Sequence, residues 1–170
     1  MRGPALALAA FFAASACRRG ASAPPEESRQ TLEGLTLSQS DSGRPDWTLK
    51  AQRAFLHEEE HRADLETPTM EFFQAGKAAS RVGARVGAVD TDSHDVRLSS
   101  SVVLDSFDDH SHLTTEELLY SSKTGLLTTD RAVTIRRPDG VVRGRGLSAK
   151  PDLSEVKIFD QSSTLNGKTE

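Results

Sequence analysis

A short pattern of apolar and small residues recurs about every thirty residues along this chain. The first copy is Leu49-x-Ala51-x-x-Ala54, and the central small residue then advances by 33, 31 and 29 positions. The later copies are Val82-x-Ala84-x-x-Gly87, Leu113-x-Thr115-x-x-Leu118 and Val142-x-Gly144-x-x-Leu147. A repeat of this length indicates stacked copies of one supersecondary unit, because such a unit cannot bury its apolar face alone.

A second alternating pair follows each of the first three copies. These pairs are Met70/Phe72, Val102/Leu104 and Val133/Ile135. Two alternations per repeat predict a unit of two short strands joined by turns. Turn signals at 41–46, 108–109, 123–125 and 138–140 agree with hairpin spacing. The sequence therefore predicts an all-β chain of stacked antiparallel strands, although the charge-rich segment 51–65 also permits a helix.

The N-terminus has the form of a signal peptide. Arg2 precedes an apolar stretch of 13 residues from Pro4 to Ala16, which is short for a membrane span. Cys17 is the only cysteine, and Ala14-Ser15-Ala16-Cys17 resembles a bacterial lipobox. The alternatives are an ordinary secretory signal cut after Ala16, which leaves a free thiol, and a shortened membrane anchor. We predict a lipoprotein-type signal peptide (1–16), a flexible tether (17–30), a β-domain (31–160) and a polar tail (161–170), with lipidation at Cys17.

The charge balance argues against nucleic acid as a partner. The chain carries 21 Lys+Arg against 25 Asp+Glu, and loss of Arg2 with the signal lowers this to 20 against 25, a net charge of −5. A nucleic-acid-binding domain of this size is usually basic. The small residues at the repeated positions either leave a groove or let two sheets approach closely, and we favour the groove.

The order and spacing of these elements resemble the LptC family of lipopolysaccharide export proteins and, more distantly, the periplasmic bridge protein LptA. The matching segments are Trp47-x-Leu49-x-Ala51-x-x-Ala54, Leu65-x-x-Pro68-x-Met70-x-Phe72, Val102-x-Leu104, Leu113-Thr114-Thr115-Glu116-x-Leu118-x-Tyr120, Thr128-Thr129-Asp130-x-x-Val133-x-Ile135 and Gly144-x-Gly146-Leu147. The resemblance implies a twisted, open β-jellyroll with an apolar slot for lipopolysaccharide acyl chains. It also implies stacking with neighbouring jellyrolls. The lipobox-like end differs from the transmembrane helix that is usual in the family.

We expect the inward-facing repeat positions to bind lipid: Leu49, Ala51, Met70, Phe72, Val82, Ala84, Val102, Leu104, Leu113, Val133 and Ile135. The resemblance further implies partners at the two ends of the stack. We expect Leu35 and Leu37 to dock toward the inner-membrane transporter LptBFG. We expect the final strand region, Val142 to Ile158, to dock toward LptA, with Val142, Gly144 and Leu147 at the edge. The alternative is a structural envelope lipoprotein that docks other proteins without carrying lipid.

Two further segments carry chemistry-bearing residues. His57-Glu58-Glu59-Glu60-His61 has the H-E-x-x-H spacing of zinc peptidases, but it reads better as a solvated turn, so we expect no metal site, no cofactor and no enzymatic activity. Residues 131–145 hold five arginines and a single acid, Asp139. These arginines suit lipid A phosphates, an acidic partner or an ordinary polar outer face.

Overall fold

A computed structural model describes residues 30–41 and 43–165 of the chain. Over this range the chain forms eleven strands in one antiparallel sheet, with a single short 3-10 helix at Glu58–Glu60. The strands are β1 (Gln30–Asp41), β2 (Arg44–His57), β3 (Arg62–Glu66), β4 (Thr69–Gln74), β5 (Lys77–Gly83), β6 (Val86–Asp90), β7 (Val96–Ser106), β8 (His112–Ser121), β9 (Leu126–Arg137), β10 (Gly140–Ala149) and β11 (Val156–Leu165). The all-β prediction is confirmed.

The sheet is a simple meander. β3 and β4 lie end to end against β2, and β5 and β6 lie end to end against β7. The eleven strands therefore occupy nine side-by-side columns, each paired with its neighbours in the chain. The repeat coincides with one hairpin of this meander, since its copies fall in β2, at the end of β5, in β8 and in β10. The strands are longer than predicted, with 14 residues in β2 and 11 in β7.

A line of irregularities crosses the middle of the sheet, and we call it the crease. Register shifts occur at Ser99/Val102 in β7, Thr115/Leu119 in β8 and Arg145/Leu147 in β10. The breaks between β3 and β4 and between β5 and β6 fall on the same line. Bulges bend strands and increase their twist. In each copy of the repeated motif the last two named positions are three residues apart, and this odd step falls at the crease, so it marks where the strand bends.

The crease divides the sheet into two halves whose inner faces meet. Half-sheet A comprises residues 35–41, 44–51, 69–83, 102–106, 112–115, 133–145 and 160–165. Half-sheet B comprises residues 30–33, 53–57, 62–66, 86–90, 96–99, 117–121, 126–129, 147–149 and 156–158. Tyr120 of half-sheet B packs edge-on against Trp47 and Phe72 of half-sheet A, with ring centroids 6.1 and 5.1 Å apart. The meander is thus folded across its own strands into two layers around one buried cluster.

Some predicted boundaries differ from the structure. Segment 51–65 forms β2 and β3 around the 3-10 helix, so the strand interpretation is confirmed over the α-helix that the sequence also permitted. β11 runs to Leu165, beyond the predicted end of the domain at residue 160. The predicted signal peptide, most of the tether and Cys17 lie outside the described residues. Within residues 30–41 and 43–165, no helix has the length and apolar character needed to cross a membrane.

Candidate functional site

The predicted lipid-binding residues lie together on one wall of the interior. Ten of the eleven are buried on half-sheet A, with exposed fractions from 0% to 5%. The eleventh, Ala84, is half-buried at the crease and packs against the same cluster. The alternating phase of the repeat therefore brings these side chains to one face, which is the geometry that a binding wall requires.

The sequence reasoning left out the opposite wall. Half-sheet B contributes a second set of buried apolar side chains: Ala54, Ala63, Leu65, Val89, Val96, Leu98, Leu118, Tyr120, Leu127, Leu147 and Ala149. A signal for this wall was present, because Ala54, Leu118 and Leu147 close three copies of the repeated motif. They follow the preceding apolar positions by an odd number of residues, so in a straight strand their side chains would point to the opposite face of the sheet. The bend at the crease returns these side chains to the inner face.

The small residues of the motif serve close approach between neighbouring strands at two positions. A Cβ atom at Gly87 would lie 2.8 Å from the carbonyl oxygen of Arg97. A Cβ atom at Gly144 would overlap both the side chain of Ile158 and the backbone of Asp160. At these two positions the absence of a side chain allows strands to pack, and it does not create the groove that we favoured.

The side of the sandwich opposite the crease, which we call the mouth, is closed by polar contacts between the strand ends. The Ser106 hydroxyl donates to the carbonyl oxygen of Asp152 at 2.8 Å. Arg137 makes a longer contact of 3.5 Å with the carbonyl oxygen of Leu153. Leu153 itself turns inward from the β10–β11 loop and is 1% exposed. Its φ of +59° is unusual for a branched side chain. The loop therefore closes the mouth with one buried leucine and few polar contacts.

A second set of polar contacts joins the two layers near the rings. The side-chain oxygen of Gln39 accepts hydrogen bonds from the Trp47 indole at 3.1 Å and the Ser122 hydroxyl at 3.0 Å. Burial raises the pKa of the Tyr120 phenol, and the carboxylates of Asp46 and Asp95 raise it further. The phenol consequently stays neutral, as a ring within an apolar layer must.

Asp109 keeps its charge beside the mouth. Burial raises the pKa of its carboxyl, but hydrogen bonds from the Ser111 hydroxyl and backbone N–H and the nearby Arg137 charge outweigh burial. The pKa of Asp109 therefore lies below its ordinary value. The carboxylate remains available to hold the β7–β8 loop in place over the neutral pH range.

One outer strand of the meander carries the predicted docking residues, and the other lies one strand beyond them. β1 carries Leu35 and Leu37, which are half-buried, and among the described residues it pairs with β2 alone. Val142, Gly144 and Leu147 do not lie on an edge, because β10 is flanked by β9 and β11. Among the described residues the edge at this end belongs to β11, whose first residues, 156–158, fall within the predicted docking region.

The H-E-x-x-H segment does not form a metal site. His57 ends β2 and contacts Asp64 at 3.1 Å, whereas His61 adopts a left-handed conformation and contacts Asp92 at 3.2 Å. The motif requires both imidazoles on one face of an α-helix, and a 3-10 turn does not provide this. In residues 30–41 and 43–165, no group of three or more His, Cys, Asp or Glu side chains is placed to hold a metal ion.

A polar cleft of about 510 Å³ lies on the outer surface near the crease. Its lining includes Thr48, Lys50 and Thr69, and the ion pair between Arg81 and Glu71 (2.6 Å) borders it. Most of these side chains alternate with the buried ones on the same strands, so the cleft faces solvent, and Ala51 is the one predicted wall residue that also lines it.

Comparison with known proteins agrees with this architecture. The sequence model of a family described as "Lipopolysaccharide-assembly, LptC-related" matches residues 8–166, which is nearly the whole chain. No curated protein matches the chain significantly. The matched region includes both half-sheets, the crease and the mouth. The chain therefore belongs to the LptC-related family, whose members take part in lipopolysaccharide transport.

Proposed function

We propose that the interior between the two half-sheets receives the acyl chains of lipopolysaccharide. The observation that carries this proposal is a continuous apolar inner face, built from both half-sheets and closed at the mouth by few polar contacts. The apolar walls suit acyl chains, and the mouth offers a lateral entrance. Phosphates and sugars then remain outside, where water solvates them.

The packing of the interior sets the strength of binding. Each methylene removed from water contributes about 0.8 kcal/mol. The wall residues are already buried, since Leu49, Met70, Val102 and Leu113 are each 0% exposed. An acyl chain must therefore replace contacts that the two half-sheets make with each other. The gain from lipid burial is partly offset by this separation, which leaves a moderate affinity that suits a carrier passing its cargo onward.

The two free strand edges suit a handover between stacked modules. We propose that the chain is held in the periplasm at the inner membrane through acylated Cys17, with the edge of β1 toward LptBFG and the edge of β11 toward LptA. Unpaired N–H and C=O groups on an edge strand readily pair with a strand of another protein. The corrected edge at β11 places this pairing next to, but not on, the predicted residues of β10.

A photo-crosslinking experiment tests lipid binding in the interior. A crosslinking amino acid at Ile135, which is 1% exposed, should capture lipopolysaccharide in cells. The matched control is the adjacent Thr134, whose side chain points to the other face of β9. A crosslinker at Leu118 should also capture the lipid, because it lies on the opposite wall. Equal labelling at Ile135 and Thr134 would contradict the proposal.

A second candidate function is supported by the filled interior. A structural envelope lipoprotein, which docks other proteins without carrying lipid, needs a tight core, and the near-zero exposure of the wall residues fits it. The same crosslinking experiment separates the two functions. Absence of lipid at Ile135 and Leu118, with normal assembly of the envelope complex, would favour the structural role.

Two further experiments test the ends of the stack and the anchor. A crosslinker at Gln161 on β11 should capture LptA, whereas one at the exposed Arg97 on the central strand β7 should not. Substitution Cys17→Ala should abolish labelling by radioactive palmitate. Palmitate incorporation that is unchanged in this variant would show that lipidation at Cys17 is not the anchor.

A further inference from the structure

Three exposed arginines on the outer face of the C-terminal strands form no ion pair with a described residue, a property that only some of the other arginines, such as Arg44 and Arg85, share. Arg53, Arg81 and Arg97 each lie within 4 Å of a carboxylate, those of Glu66, Glu71 and Glu117 respectively. In the described part of the chain, the exposed Arg136, Arg143 and Arg145 form no such pair. Their charge is therefore not explained by pairing within the sheet.

These three arginines lie close together on one surface. Val133 and Ile135 point inward, so Arg136 points outward from β9, and Arg143 and Arg145 point outward from β10. Arg143 lies opposite Thr134 and is therefore a diagonal neighbour of Arg136. Diagonal neighbours of this kind have Cα atoms about 7–8 Å apart. Clustering of like charges destabilises a sheet, so stability does not account for this arrangement.

On the neighbouring strand β11, Lys157 lies across the crease in half-sheet B. Its exposed side chain reaches toward the crease, where its ammonium lies 5.4 Å from the ring centroid of Phe159. We call Arg136, Arg143, Arg145 and Lys157 the cationic patch. Asp160, opposite Arg145, adds one negative charge to this face. The patch therefore keeps a clear positive excess, although the whole chain has a net charge of −4.

Phe159 gives the patch an exposed apolar anchor. Its side chain is 61% exposed, although large apolar side chains are normally buried. The ring is seated on Gly146, where a Cβ atom would lie only 2.8 Å from its Cδ2 atom. A ring that is already positioned loses little conformational entropy on binding. Aromatic and arginine side chains are also the types that dominate binding energy at protein interfaces.

From these observations we infer that the cationic patch and Phe159 form a recognition surface for an acidic protein whose strand adds to the edge of β11. This inference rests on the handover proposed above and names the chemistry that selects the partner. Complementary charge requires carboxylates on the partner's outer face, and Phe159 requires an apolar contact beside them. A protein fits better than an anionic membrane, because a bilayer surface does not pair the free N–H and C=O groups of an adjacent strand edge.

Binding of the full chain to the LptA-like protein of the same organism tests this inference. The double variant Arg143→Gln/Arg145→Gln should raise Kd about five- to tenfold at low salt and flatten the dependence of Kd on salt concentration. Phe159→Ala should raise Kd about tenfold or more without changing that salt dependence. The matched controls are Arg81→Gln and Arg97→Gln, whose side chains are 56% and 59% exposed but pair within the sheet. These controls should leave Kd unchanged.

The outcomes separate this inference from the handover itself. If the unsubstituted chain binds the LptA-like protein and the patch variants bind equally well, the handover stands and the recognition surface is wrong. If the unsubstituted chain does not bind, both are wrong. A vesicle arm uses phosphatidylglycerol against phosphatidylcholine vesicles. Patch-dependent binding to the anionic vesicles, without patch-dependent binding to the protein, would overturn the inference in favour of a membrane surface. Thermal unfolding of each variant confirms that a loss of binding does not reflect a loss of fold.

Discussion

The two half-sheets meet in one interior but build their walls differently. The buried side chains of half-sheet A include Trp47, Met70 and Phe72 with alanines at 51 and 79, whereas those of half-sheet B include Tyr120 and several leucines with alanines at 54, 63 and 149. The two rings of half-sheet A pack against the single ring of half-sheet B, and large and small side chains on both walls let the layers interdigitate. Neither half-sheet is therefore a domain of its own, because the buried side chains of each pack against those of the other.

The largest expected effect tests whether both walls belong to one cooperative core. Leu98 on half-sheet B and Leu104 on half-sheet A lie on the same strand and are 1% and 0% exposed. Leu98→Ala and Leu104→Ala should each lower the free energy of unfolding by about 2–5 kcal/mol, because each deletion leaves a cavity in the packed interior. Urea unfolding followed by tryptophan fluorescence and by circular dichroism measures both.

The two signals should change together in a single transition for both variants. A variant at Leu32, which is 42% exposed on β1, is the control and should change stability little. Separate transitions for the two halves, or a large effect at only one leucine, would break the comparison by showing that the walls fold independently.

The next effect concerns the crease that separates the two halves. Gly34 and Gly146 both lie on it with φ of +71° and +75°, but only Gly146 has a neighbour close to the position of a Cβ atom. Gly34→Ala should cost about 1 kcal/mol of stability through backbone strain alone, and Gly146→Ala about 2 kcal/mol through strain and contact with Phe159. Chemical denaturation measures both. Negligible losses would show that the bend does not depend on these conformations, and equal losses would show that the contact with Phe159 adds nothing.

A smaller effect measures the contact between the layers directly. Trp47 and Tyr120 come from opposite half-sheets, with an interplanar angle of 76° between their rings. A double-mutant cycle with Trp47→Leu and Tyr120→Leu should give a coupling energy of about 0.5–1.5 kcal/mol, as edge-on aromatic pairs do. The pair Trp47 and Leu147 serves as a comparison without a ring contact. Additive effects of the two ring substitutions would mean that the layers do not touch in solution as they do here.

The smallest expected effect is local and lies at the mouth. Ser106→Ala removes the hydrogen bond to the carbonyl oxygen of Asp152, which is worth about 1 kcal/mol. Amide hydrogen exchange should become about fivefold faster in residues 150–155 while β7 and β8 keep their protection. Ser99→Ala, on the same strand and away from the mouth, should leave this loop unchanged. Uniform acceleration across the sheet would show that the mouth does not open separately from the core.

The sequence predicted half-sheet A well and half-sheet B poorly, for a physical reason. Leu49, Met70, Val102 and Ile135 follow a clean period of two, which is what a straight strand requires of an inner face. Residues such as Ala54 and Leu118 resume that period only after an odd step. From sequence alone, an odd step indicates the end of a strand as readily as a bulge within it. Alternation therefore predicts which residues share a face, but not that the face bends back on itself.

The residues named at the docking edge lie one strand too early for a related reason. Val142, Gly144 and Leu147 belong to the last clear copy of the repeat, so the repeat placed the edge there, although the predicted docking region ran on to Ile158. The true final strand, β11, is more polar and lacks the motif, yet it pairs with β10 from Val156 to Leu165. Gly144 is the residue of the motif that indicates a further strand beside β10, because it lacks a side chain where Ile158 and Asp160 approach most closely.

The coincidence of the repeat with the hairpin has a consequence for how such chains change length. Each hairpin supplies one strand pair to both layers and carries its own segment of the bend. Insertion or loss of one whole repeat would therefore alter the reach of the molecule by two strand spacings, about 10 Å, while leaving the curvature of the remaining hairpins intact. The length of the stack, measured across the strands, depends on the number of hairpins. The width of the interior depends on the strand lengths within each hairpin and stays constant.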